Sequence, residues 1–121
     1  MTTYYTRTIE LWLEKLETKA AMYQLVPGYV VESENHVNVG QGFGLNGTEF
    51  DVKCPPASAM AQVFDTRENA EKYGCDYCLV DGNGKPVTMK ITPAAEFFQR
   101  EANLTRGLLL CIQGSEKGGE R

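Results

Sequence analysis

The residues best typed and spaced for chemistry lie between Glu32 and Asp51. Glu32, Glu34, His36 and Asn38 recur at every second position, and Glu49 and Asp51 repeat the period some fifteen residues later. In an extended chain, alternate side chains share one face. Read as two paired strands, the segments collect four carboxylates and the chain's one histidine on a common solvated surface. Two uses fit. A carboxylate–histidine set can bind a metal or move protons, which requires convergence into a pocket. An open acidic face can instead dock on a basic protein by charge complementarity. Simple solvation of the outer face of a half-buried sheet is the plain alternative. Docking is the reading carried forward, with Glu32, Glu34, His36, Asn38, Glu49 and Asp51 as contacts.

Between the two acidic segments runs Gly40 to Gly47, rich in glycine, with Phe43 and Leu45 as apolar anchors on a pliable backbone. Gly42 to Gly47 matches the string G-x-G-x-x-G. A dinucleotide site needs a helix directly after it, to present its N-terminus to the pyrophosphate. Here a strand pattern and then Pro55-Pro56 follow, so no nucleotide cofactor is expected.

Cys75 and Cys78 have metal-ligand spacing, but a structural zinc takes four ligands, normally from two such pairs. Cys54, Cys111 and His36 have no local cysteine or histidine partner, and Cys111 falls on the apolar stripe of the last helix, where a core role is expected. No Gly-x-Ser-x-Gly elbow is present. No catalytic residue, metal or cofactor is therefore assigned. The alternative is a metal- or small-ligand-binding domain or enzyme, built on His36 with its carboxylates or on Cys75 and Cys78.

Helices and strands must position these residues. Ile9, Trp12, Leu13, Leu16, Ala20 and Tyr23 form one stripe at spacings of three and four, predicting a helix over Thr8 to Tyr23 with Thr6 or Thr8 as cap. Val26-Pro27-Gly28 stops it. Alternation predicts one long strand from Tyr29 to Val39, half-buried through Tyr29, Val31, Val37 and Val39 and wet through Glu32 to Asn38. A second strand, Thr48 to Lys53, pairs with it until Cys54-Pro55-Pro56 removes two donors. Ala61 to Phe64 reads as a short strand. Asp65 and Glu68 read as a capping box for a short helix that ends at Gly74. Asp76 to Val80 and Pro86 to Ile91 flank the turn residues Asp81-Gly82-Asn83-Gly84 as a second hairpin. Thr92-Pro93 opens the last helix, which runs to about Gln113 with Ala94, Phe97, Phe98, Leu104, Leu108, Leu109, Cys111 and Ile112 on its apolar face.

The expected fold is α+β: a mostly antiparallel sheet of five strands with long N- and C-terminal helices on one face and one short helix. Residues 1–113 are expected to form one domain and 114–121 a disordered tail. The 121-residue chain carries 16 acidic and 12 basic residues, a net charge of −4 that disfavours direct nucleic-acid binding. No apolar run reaches signal-peptide or membrane-span length, so the expected setting is the cytoplasm, with free thiols and no membrane contact.

These readings converge on a small acidic, non-enzymatic protein-binding module with a basic partner. One form is an inhibitor, phage- or mobile-element-encoded and anti-CRISPR-like, that occupies the phosphate-binding groove of a nucleic-acid-handling enzyme. Either a monomer or a homodimer formed by extension at the first strand's edge fits.

Overall fold

The computed structural model describes residues 4–40, 49–74 and 83–119. Its elements in order are α1 (Tyr4–Met22), β1 (Tyr29–Glu32), β2 (His36–Gly40), β3 (Glu49–Val52), α2 (Pro55–Ala59), α3 (Arg67–Asn69) with a π-turn (Ala70–Gly74), β4 (Lys90–Pro93) and α4 (Ala94–Gly119). The fold is α+β, with one antiparallel four-stranded sheet in the order β3-β2-β1-β4. The described residues thus hold four strands where five were expected.

The expected long strand Tyr29–Val39 is two strands. Ser33 turns the chain: its Oγ accepts from the His36 amide at 3.0 Å, and its own amide donates to the His36 carbonyl at 2.8 Å. This side-chain-to-backbone bond supplies an alternative to continued strand pairing. β1 is consequently central rather than an exposed edge, and the sheet's edges are β3 and β4.

Residues 61–64 also differ from expectation. They form no independent strand but fill a fork between β1 and β2. Near the turn these strands pair at Glu32 and Val37. Farther out, the Gln62 amide donates to the Asn38 carbonyl at 2.8 Å, and Phe64 exchanges both backbone bonds with Tyr29 at 2.8 and 2.9 Å. Gly28 permits this wedge, since a Cβ there would meet Val63 Cγ1 at 2.6 Å. β2 bulges between Asn38 and Gly40, where Gly40 takes the left-handed φ of 109°.

The core lies between the sheet and the helices. Leu16 and Ala20 of α1, Val30 and Val37 of the sheet, Ala57 and Ala59 of α2, and Phe97, Phe98 and Ala102 of α4 are buried together. Tyr23 stacks on Phe98 at 5.7 Å, and Phe97 meets Phe98 edge-on at 5.3 Å. Truncating Phe98 to alanine would remove this junction at a cost of roughly 3–5 kcal/mol. Pro55 and Pro56 begin α2, where their missing amide hydrogens have no intrahelical acceptor to lose.

Several boundaries move. α1 begins before Thr8, and Thr6 is buried inside it rather than serving as a cap. The cap of α3 is Thr66, whose side chain accepts from the Asn69 amide, while Asp65 accepts from the Asn69 side chain. Thr92 and Pro93 close β4 instead of opening α4. Pro93 faces Tyr29, whose backbone groups are bound to Phe64, so no donor is required of it. α4 stays helical to Gly119, past the expected end at Gln113 and into the segment expected to be disordered. It also outruns strands of only four or five residues, and beyond them it packs on α1, where Arg106 pairs with Glu17. That leaves Leu104, Leu108 and Cys111 exposed, although the apolar stripe placed them inside.

Candidate functional site

The turn at residues 33–35 rearranges the proposed acidic face. Because Glu32 pairs with Val37, it shares Val37's face of the sheet, and His36 and Asn38 fall on the opposite one. The expected wet row is therefore split by a reversal of parity. Glu32 points under α4 and is 2% exposed; Asn38 is 1% exposed at the fork, with Oδ1 accepting from the Gly40 amide at 2.8 Å. The reading of both as solvent-facing is corrected. Glu34 and Asp51 remain exposed, and His36 is half-buried on the far face. The backbone of Glu49 pairs with Gly40. Phe43, Leu45, Cys75 and Cys78 lie outside the described residues.

In place of the acidic row there is a charge cluster beneath α4. Glu32 Oε1 lies 2.5 Å from Arg100 Nη2 and 2.6 Å from Lys53 Nζ. Its other oxygen accepts from Thr92 Oγ1 at 2.5 Å. Arg100 Nε reaches Glu101 Oε2 at 3.3 Å, and Ser58 Oγ donates to Glu101 Oε1 at 2.7 Å. The cluster joins β1, β4, the exit of β3, α2 and α4. No buried side-chain nitrogen or oxygen among the described residues lacks a partner.

Burial alone would raise the Glu32 pKa. Hydrogen bonds from Arg100, Lys53 and Thr92, with the charge of Arg100, outweigh it and hold the carboxyl below its ordinary value. Burial likewise opposes the charge on Arg100, but Glu32 and Glu101 raise its pKa overall. A carboxylate kept ionised and closed to solvent offers neither the proton nor the access that a general acid needs. This arrangement fastens layers together.

Sequence reading missed Lys53, Ser58, Thr92, Arg100 and Glu101. One signal was present. Glu101 falls four residues after Phe97 and three after Phe98, on the buried stripe of α4, where an acid requires a buried partner.

Among the described residues, no group of three or more His, Cys, Asp and Glu is placed to hold a metal ion. No described helix is long and apolar enough to cross a membrane. Concave surfaces among the described residues include two beside the long helices. A shallow one follows α4 at Gln24, Glu96, Gln99 and Asn103. The larger, about 790 Å³, runs between α1 and the end of α2 and is walled by Leu11, Trp12, Lys15, Lys19 and Met60. The chain matches no protein-family model, no curated protein and no solved structure.

Proposed function

We propose that the chain is a small protein-binding module whose outward carboxylates dock on a basic partner. The observation that carries this reading is the separation of its acids. Glu32 and Glu101 are matched internally by Arg100 and Lys53, whereas Glu34 and Asp51 face solvent. The internal cluster takes two acids and two bases alike, leaving the formal net charge of −4 on the rest of the chain. The turn bearing Glu34 lies against Lys53, whose Nζ donates to the Glu34 carbonyl at 3.2 Å, two residues along from Asp51. Two exposed carboxylates at one end of a firmly held sheet can steer and orient a cationic surface. The narrower form, an inhibitor of the anti-CRISPR kind filling a phosphate-binding groove, is one that the charge and size permit.

The test is affinity capture at low and moderate salt, followed by binding measurements on the recovered partner with Glu34→Lys, Asp51→Lys and the double variant. Binding should weaken with salt and fall at least roughly tenfold in the double variant. Equal affinity of wild type and double variant would defeat the proposal. Glu32→Lys is a poor test, because it buries a cation against Arg100 and Lys53.

A further inference from the structure

We propose that the groove between α1 and α2 is a second docking site, taking an acidic amphipathic helix from a partner protein. The groove joins apolar walls to unneutralised cations. Leu11 and Met60 are 58% and 62% exposed on its flanks, and half-buried Trp12 lines it. Tryptophan and methionine are residues of the kind that anchor adaptable interfaces.

Two lysines set the sign of the occupant. Lys15 Nζ lies 5.0 Å over the Trp12 ring. Lys19 Nζ lies 5.4 Å over the Phe98 ring and donates to the Ala59 carbonyl. The ion pairs of the described residues use Lys53, Arg67, Arg100 and Arg106, not these two. Burial and then repulsion from Lys15 lower the Lys19 pKa. An incoming carboxylate would relieve that repulsion. Glu14 also lines the groove, so its charged residues sum to one net positive charge in a chain that is negative overall.

The walls favour a helix over an extended peptide. They consist of residues of α1 and the end of α2, and among the described residues no sheet edge opens into the groove. An extended segment would find no backbone ladder there, whereas a helix satisfies its own backbone and presents apolar residues at i and i+4. The occupant therefore carries such a pair for Leu11, Trp12 and Met60, with flanking Asp or Glu for Lys15 and Lys19.

Trp12 is the chain's one tryptophan, so its fluorescence reports on this groove directly. The experiment is selection from a randomised library of peptides about 16 residues long, roughly four helical turns, against the immobilised full chain. Enriched peptides are then titrated against Trp12 emission. Peptides rich in Asp and Glu, with apolar residues at i and i+4, should dominate and shift that emission. Their affinity should fall at least roughly tenfold for Lys15→Glu and for Met60→Ala. Both substitutions are at exposed positions, and circular dichroism checks that each variant is folded. Enrichment of basic peptides, binders that leave Trp12 emission unchanged, equal affinity for the variants, or no enrichment at all would overturn the proposal. The site is separate from Glu34 and Asp51, so reversal of those acids should leave peptide binding intact.

Discussion

Glu32 Oε1 and Arg100 Nη2 are 2.5 Å apart, joining a central strand to α4 across 68 residues of chain. The carboxylate is 2% exposed and Arg100 37%, so one partner is closed off and the other opens to solvent. Removing the buried partner should cost more than removing the open one. Glu32→Gln keeps the shape and the acceptor for Thr92 but leaves Lys53 uncompensated and Arg100 with Glu101 alone. A loss of about 2–4 kcal/mol is expected, since breaking a buried pair strands the remaining charge and Arg100's exposure softens the penalty. Arg100→Met leaves Lys53 on Glu32 and should cost less. Urea denaturation of the two single variants and the double variant measures the coupling; additive effects would mean that the pair is energetically silent.

How far the sequence foretold this pair shows where pattern reading stops. The long helices were legible because Leu16 and Ala20, and Ala94, Phe97 and Phe98, repeat at helical spacing and are buried. The pairing of β2 with β3 was legible from alternation on either side of the glycine run. Glu32 was misplaced because Glu32, Glu34, His36 and Asn38 keep period two through the turn, although Ser33 and Asn35 are turn-forming types and Asn35 interrupts the apolar face, a mark of a bulge or bend. A turn reverses which parity faces inward, and period-two counting carries no record of it. The Thr92-Pro93 signature was also genuine helix-start chemistry. Pairing with β1 overrode it, because the edge position asked no donor of Pro93.

The same cluster predicts acid sensitivity. The folded Glu32 pKa lies below its ordinary value of 4.5, so the folded state favours the ionised carboxylate. Its contribution is present above the unfolded pKa and is lost as pH falls from about 4.5 through the lower folded value. Stability measured down this window should fall more steeply for wild type than for Glu32→Gln. In Arg100→Met the folded pKa should rise toward the ordinary value, moving the loss to higher pH. Parallel acid profiles for wild type and Glu32→Gln would show that Glu32 does not govern the decline.

Gly28 tests the wedge between β1 and β2. A Cβ added there would meet Val63 Cγ1 at 2.6 Å and the Tyr23 ring at 2.9 Å. The Gly28 carbonyl also accepts from the Ala94 amide at 2.8 Å, so the backbone there has little room to withdraw. Gly28→Ala should destabilise by about 1–3 kcal/mol, as overpacking of a close contact does. Amide exchange should rise most at Tyr29 and Phe64, which exchange the bonds holding the wedge. Unchanged protection there would separate Gly28 from the wedge.

Gly107 makes the opposite prediction. It sits exposed in α4, far from either helix end, and an alanine Cβ at this position would have open space within 4 Å. No turn or close approach requires glycine there, and its backbone φ is not positive. Alanine should therefore lower the unfolded chain's freedom and favour the helix, raising stability by about 1 kcal/mol. The neighbouring Arg106–Glu17 pair at 3.0 Å joins α4 to α1 along this stretch, so a better-formed α4 should leave that contact intact. Thermal unfolding of Gly107→Ala at neutral pH checks the sign. A lower midpoint would mean that this part of α4 bends at Gly107, and that its exposed half is not a regular helix.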